Sequence, residues 1–138
     1  MKCKIMEYKD FCKEIEYFLN CSLNKENNIY LSLTKKEQIK LYEFIFFQSD
    51  SLLTFLTTLY IDEKNKTEES ILRKIQLQKL METFQRAFFL ITHSYIKSIK
   101  NGKIIKINKN ITYNNLNFIK TVFTSVISNI ENLYLINK

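Results

Sequence analysis

Apolar residues recur every three or four positions along much of the chain, the spacing that places them on one face of an α-helix. The first such set comprises Ile5, Tyr8, Cys12, Ile15 and Leu19. It predicts a first helix over residues 4–21, followed by a polar connector. Thr34-Lys35-Lys36-Glu37 matches a capping box, in which the Thr hydroxyl and the Glu carboxylate both accept hydrogen bonds from amides of the first turn. A second helix is predicted to begin there.

Residues 39–61 are apolar on most of the circumference of this second helix. A helix on the surface of a monomer keeps one polar face, so this helix is expected to be central in the domain or shared with a partner subunit. Residues 48–51 include Asp50 and Ser51, which are cap residue types, and they predict a kink or a restart of the helix. A charged turn over residues 62–66 follows.

Thr67, Glu68 and Glu69 predict the start of a third helix, because a Thr cap and two carboxylates suit the amides and the dipole of the first turn. Its predicted apolar stripe is Ile71, Ile75, Leu80, Met81, Phe84, Phe88 and Ile91. Asn101-Gly102 is a type I′ hairpin signal, which predicts a small β-hairpin or an ordered loop near residues 96–113. A closing helix is predicted from the most regular repeat in the chain, Leu116, Ile119, Phe123, Val126, Ile130 and Leu133.

The length of 138 residues suits a single domain over residues 1–138 with one hydrophobic core. The chain has no proline and one glycine, which favours long helices. We therefore predict an all-α fold, a bundle of four to five helices with the small hairpin or loop after the third. The start lacks the apolar core of a signal peptide, and no uninterrupted apolar run approaches the roughly 20 residues that span a bilayer. A cytoplasmic protein without membrane association is expected.

The formal net charge of +7 and the isoelectric point near 9.3 suit an anionic partner such as RNA, through neutralised phosphates and released counterions. A solvated lysine-rich surface without a partner has the same composition. Cys3, Cys12 and Cys21 form no CxxC pair and have no nearby histidine, so we expect reduced thiols, no metal site and no cofactor.

Arg86, His93 and Tyr95 lie in one stretch of the third predicted helix, and His93 is the only histidine in the chain. Arg86 is one of two arginines among many lysines, and its planar guanidinium is always charged. His93 has the one side chain type that exchanges its proton near neutral pH. Because Arg86 and His93 are seven residues apart, they share a helix face and are separated by about 10.5 Å of rise.

Written as R-x6-H-x-Y, this stretch resembles the signature of HEPN domains, small all-helical modules with the motif R-x4-6-H, extended to H-x-Y in some toxins. The segments after His93 also resemble the C-terminal half of several HEPN proteins. The resemblance implies a metal-independent endoribonuclease of a toxin or phage-defence type. In that reaction the ribose 2′-hydroxyl attacks its own phosphate, His93 moves a proton, and Arg86 stabilises the charge on the phosphorane. The matching tyrosine, Tyr95, is implied as an RNA contact or as a site modified by a cognate nucleotidyltransferase antitoxin.

A single helix does not easily bring Arg86 and His93 onto one phosphate, because helical side chains lean toward the N-terminus and Arg86 therefore leans away from His93. HEPN proteins pair two protomers so that their motifs meet. The resemblance thus implies a homodimer with a composite Arg/His site, and the apolar second helix is the expected dimer face.

Two non-enzymatic interpretations remain open. The first is a small helical protein that binds a protein partner, such as an immunity protein, an antitoxin or a phage-encoded inhibitor. The second is a basic bundle that binds RNA without cutting it. In both, His93 is a hydrogen-bonding structural residue and Arg86 a surface residue.

Overall fold

A computed structural model describes residues 1–20, 34–100, 103–107 and 112–135, with side chains described in these ranges except over residues 90–107. Within them the chain forms four α-helices: α1 (Lys2–Asn20), α2 (Lys35–Asp62), α3 (Glu68–Tyr95) and α4 (Tyr113–Tyr134). The prediction of an all-α bundle is confirmed at the level of its class. The helices enclose one hydrophobic core, to which all four contribute buried side chains.

Two short strands connect α3 to α4. They are β1 (Ile96–Lys100) and β2 (Lys103–Ile107), and they pair antiparallel with Ile96 opposite Ile107 and Lys100 opposite Lys103. The register is irregular on both sides of Ser98. The predicted turn at residues 101–102 and the residues 108–111 lie outside the described part of the chain.

Helix α1 buries the predicted face with one difference. Its buried side chains are Ile5, Tyr8, Phe11, Ile15 and Leu19. Phe11 therefore takes the central position that the spacing assigned to Cys12, which is only partly buried. The Phe11 ring lies 5.0 Å from the Phe44 ring and 4.5 Å from the Phe123 ring, measured between centroids. A phenyl ring buries far more apolar area than a thiol, so the core contains Phe11.

Helix α2 begins at the predicted capping box. The Thr34 hydroxyl accepts a hydrogen bond from the Glu37 amide at 3.2 Å, and the Glu37 carboxylate accepts one from the Thr34 amide at 3.0 Å. The helix then continues for 28 residues without ending at residues 48–51, so the predicted restart there is wrong. Burial of Ile45, Leu52 and Leu56 on either side of these cap-type residues stabilises a continuous helix.

Replacing Thr34 with alanine should lower the free energy of unfolding by about 1 kcal/mol, because two amides of the first turn lose their reciprocal hydrogen bonds. For a domain of this length that corresponds to about 4 °C in melting temperature. Thr58→Ala is the matched control, since Thr58 is exposed and its hydroxyl only donates to the Thr54 carbonyl within the helix. Equal melting temperatures for the two variants would contradict a stabilising cap.

The apolar side chains of α2 are buried to different extents. Its buried core residues are Leu41, Tyr42, Ile45, Leu52, Leu56 and Leu59. Among the described side chains of α2, Phe47 and Ile61 are the large hydrophobic ones that remain exposed. By length and composition alone, α2 is long and apolar enough to cross a membrane, a property shared by core helices of soluble proteins.

Helix α3 starts at the predicted Thr67 cap, whose hydroxyl accepts a hydrogen bond from the Ser70 amide at 3.2 Å. The first part of its predicted apolar stripe is wrong, since Ile71 and Ile75 are 51% and 45% exposed. The inward face at this end carries Ser70 and Arg73 instead, and their polar groups bind a carboxylate from the preceding turn. Further along, the buried residues of α3 are Leu77, Phe84 and Ala87.

Helix α4 closes the bundle as its periodicity predicted. Its buried residues are Leu116, Ile119, Phe123, Val126, Ile127 and Ile130. The Thr112 hydroxyl caps its N-terminus by accepting a hydrogen bond from the Asn115 amide at 3.1 Å. The helix packs against α1 and α3, and the Phe123 ring meets the Phe84 ring of α3 edge-on at 5.5 Å.

Candidate functional site

Helix α3 carries all three predicted site residues, because it continues as far as Tyr95. The Arg86 side chain is exposed. The side chains of His93 and Tyr95 lie outside the described residues, so the helix defines only their backbone positions. Seven residues of α-helix fall about 20° short of two turns, so the positions of Arg86 and His93 lie on one face of α3.

The two arginines of the protein have different environments. The Arg73 guanidinium donates to the Glu63 carboxylate at 2.8 Å, and its side chain is only 27% exposed. Arg86 forms no ion pair or hydrogen bond with any residue that the structure describes. An exposed guanidinium without a carboxylate partner is available to an anion from solution, because its donors need not be released from another acceptor.

Arg86 lies on a shallow surface groove of about 570 Å³. Among the described residues, the groove is lined by Glu82, Gln85, Arg86 and Phe89. The Phe89 side chain is 60% exposed although it is a large hydrophobic group. The groove therefore places a guanidinium beside a partly exposed phenyl ring.

A polar cluster around Glu63 was not predicted from the sequence. One Glu63 carboxylate oxygen accepts hydrogen bonds from the Arg73 guanidinium and the Ser70 hydroxyl, both at 2.8 Å. The other oxygen accepts one from the Tyr134 hydroxyl at 3.1 Å. The Arg73 guanidinium also lies 5.8 Å from the centre of the Tyr134 ring. The cluster therefore joins the turn between α2 and α3 to the last turn of α4.

These contacts shift the ionisation of both acidic groups. The Arg73 hydrogen bond is the main reason that the pKa of the Glu63 carboxyl falls to about 2, with further lowering by Ser70 and Tyr134. Burial, followed by the neighbouring Glu63 carboxylate, raises the pKa of Tyr134 to about 12. Each group keeps its charge state over a wide pH range, and each is bound to the others. We interpret the cluster as a structural clamp.

The nearest sequence signal for this clamp was the spacing of Glu63 and Arg73 across a predicted turn. It is weak, because Tyr134 comes 71 residues after Glu63.

In the ranges described here, no group of three or more His, Cys, Asp or Glu side chains is placed to hold a metal ion. The chain matches no family model, no curated protein and no solved structure.

Proposed function

We propose that the protein is a HEPN-like, metal-independent endoribonuclease of a toxin or phage-defence type that acts in the cytoplasm. The proposal depends on one observation, the exposed Arg86, which has no carboxylate partner among the described residues and lies on the helix face that also carries His93. Arg86 binds the phosphate and stabilises the negative charge of the phosphorane. His93 transfers a proton at the attacking or the leaving oxygen.

The proposed active form is a homodimer across α3. The positions of Arg86 and His93 are about 10.5 Å apart along the helix axis, too far for one protomer to close both on one phosphate. An antiparallel second copy brings Arg86 opposite the partner's His93 when the two-fold axis crosses α3 midway between them, beside Phe89. The exposed Phe89 ring then packs against its own symmetry mate, which supplies an apolar contact at the centre of the interface.

Changing Phe89 to glutamate should weaken this dimer at least tenfold, because it places two like charges beside the two-fold axis. Cleavage should fall with the dimer population. Ile75→Glu is the matched control, since Ile75 is also an exposed hydrophobic residue of α3 but lies about 21 Å away along the helix. Light scattering against concentration measures both. A wild-type protein that stays at 16.6 kDa at micromolar concentrations contradicts the composite site.

The nuclease proposal is tested by incubating the purified protein with end-labelled RNA in EDTA. Products with 2′,3′-cyclic phosphate and 5′-hydroxyl ends are expected, because the 2′-hydroxyl is the nucleophile. An RNA carrying 2′-O-methyl groups should remain intact under the same conditions. If the unmodified RNA is not cut, or if the methylated RNA is cut equally, the proposal is wrong.

A non-enzymatic interaction protein is the second candidate, and a different surface favours it. Ile71, Leu72 and Ile75 are about half exposed on the N-terminal half of α3, a position suited to a helical protein partner such as a cognate antitoxin. Co-purification with the product of a neighbouring gene, lost in Leu72→Lys, tests this candidate. If that product is a nucleotidyltransferase, we expect Tyr95 to be the residue that it modifies, and mass spectrometry of the peptide identifies the site.

A further inference from the structure

The net charge of the protein is confined to one part of the chain. Residues 83–130 contain no aspartate or glutamate, and they contain seven cationic residues: Arg86, Lys97, Lys100, Lys103, Lys106, Lys109 and Lys120. The remaining lysines and arginine equal the fourteen acidic residues in number. The whole charge of +7 therefore belongs to the segment that includes the end of α3 and nearly all of α4.

Helices α3 and α4 line a groove of about 370 Å³, and five of its eight described lining residues belong to this segment. Its described lining residues are Gln76, Lys79, Leu80 and Thr83 from α3, and Thr121, Val122, Ser125 and Val126 from α4. Amide, hydroxyl and ammonium groups thus lie along an apolar floor. None of these lining residues is a carboxylate.

Cationic residues extend this groove along α3. Lys79 lines it, and Arg86 follows seven residues later, about 20° round the helix and 10.5 Å along it. Glu82 lines the groove of Arg86 and is not among the described lining residues of the groove between α3 and α4. On α4, the exposed residues Asn117, Thr121, Thr124 and Ser128 add a second uncharged polar surface around Lys120.

Two acidic residues near this surface, one from α1 and one from α4, are already paired. Glu16 of α1 lies 3.3 Å from the Lys120 ammonium group, and Glu131 lies 2.9 Å from Lys9. A groove with ammonium and hydroxyl donors and without a free carboxylate is complementary to a polyanion. Lysine, serine, threonine and glutamine side chains are among those that bind phosphate groups, and all four types line this groove.

We infer that the groove between α3 and α4 is the track along which the phosphodiester backbone of a single-stranded RNA approaches Arg86. Lys79 and the hydroxyls of Thr83 and Ser125 contact phosphates, and Leu80 and Val122 face the sugars. The choice of RNA rests on the proposed function, but binding is measured separately from cleavage. The affinity depends on salt, since bound phosphates release counterions.

The test uses a fluorescent single-stranded RNA with 2′-O-methyl groups throughout, which binds but lacks the attacking hydroxyl. The groove variant is Thr121→Glu with Ser125→Glu. Its control is Thr54→Glu with Thr58→Glu, two exposed positions of α2 with the same change in net charge. We expect the Kd at low salt to rise at least about tenfold in the groove variant, and by less than about threefold in the control.

Lys79→Gln provides a second variant that does not introduce charge into the groove. It should weaken binding several-fold and reduce the slope of log Kd against log salt by nearly one, the effect of losing one phosphate contact. Circular dichroism melts identify any variant that does not fold. The inference is overturned if the groove variant and its control lose the same amount of RNA affinity. It is also overturned if polyglutamate of equal charge displaces the RNA.

Failure of this inference is distinguishable from failure of the nuclease proposal. A wild-type protein that binds methylated RNA through the groove but cuts no RNA refutes the nuclease alone. A wild-type protein that cuts RNA, with groove variants that bind as tightly as wild type, refutes the track alone. Absence of RNA binding at low salt refutes the track directly.

Discussion

Arg86→Ala should reduce RNA cleavage by about a hundredfold or more and leave the melting temperature unchanged. The loss follows from removing the group that stabilises charge on the phosphorane, a contribution of that size in comparable sites. The unchanged stability follows from the exposure of Arg86 and from its lack of an ion pair among the described residues. Cleavage of end-labelled RNA in EDTA and thermal melts measure the two effects on the same samples.

Arg73→Ala is the matched control, because it removes the other arginine of the same helix. It should lower the melting temperature by breaking the clamp at Glu63, while the folded fraction keeps its activity. His93→Ala should lose as much cleavage as Arg86→Ala, since it removes the proton carrier. If His93 is instead a buried hydrogen-bonding residue, its loss lowers stability by about 1–3 kcal/mol and has no effect on RNA. Equal cleavage by wild type and both site variants refutes the proposed site.

Glu63→Gln should lower the free energy of unfolding at pH 7 by about 1–2 kcal/mol, because the charged acceptor of three hydrogen bonds is replaced by a neutral amide. Its partners Arg73, Ser70 and Tyr134 are then poorly satisfied. Urea unfolding measures the change. Glu69→Gln is the control, since Glu69 also faces Arg73 but at 4.0 Å and with its side chain 88% exposed.

The same variant has a distinct acid dependence. The folded-state pKa of Glu63 is about 2, below its ordinary value of 4.5. A depressed carboxyl pKa contributes stability that is fully present above the ordinary value and is lost as the pH falls toward the folded one. Wild type should therefore lose more stability than Glu63→Gln between pH 4.5 and pH 2. Parallel curves for the two proteins in that window would show that the clamp does not stabilise the fold.

Local patterns in the sequence determined where most helices begin and which face of α4 is buried. The cap at Thr34 and the cap at Thr67 depend on hydrogen bonds between residues three apart, so the sequence contains both partners. The repeat in α4 predicted five buried residues correctly, because a helix with one regular apolar stripe has a single face to bury. The exposure of Arg86 was also predictable, since it lies off the apolar stripe of α3.

Tertiary packing determined two features that local sequence patterns left undecided. These are which residue of α1 fills a core position and which side chains of α2 are covered. Phe11 displaced Cys12 from the core because the rings of Phe44 and Phe123, from distant segments, lie around it. The apolar composition of α2 allowed either a core helix or a dimer face, and the surrounding helices decide which of its side chains are buried in the core, namely Leu41, Tyr42, Ile45, Leu52, Leu56 and Leu59. Composition reports how apolar a helix is, whereas its neighbours determine what covers it.

The two arginines of α3 also show what the sequence determines and what only the tertiary structure determines. Arg73 and Arg86 are the same residue type, and in the sequence only the R-x6-H-x-Y motif distinguished Arg86 from Arg73. Their difference arises because Glu63 and Tyr134, from the turn before α3 and from the end of α4, meet at the first turns of α3. That contact binds Arg73, turns Ser70 inward and leaves Ile71 and Ile75 exposed. Such a contact spans 71 residues of sequence, so no local periodicity contains it, and only the folded chain brings its members together.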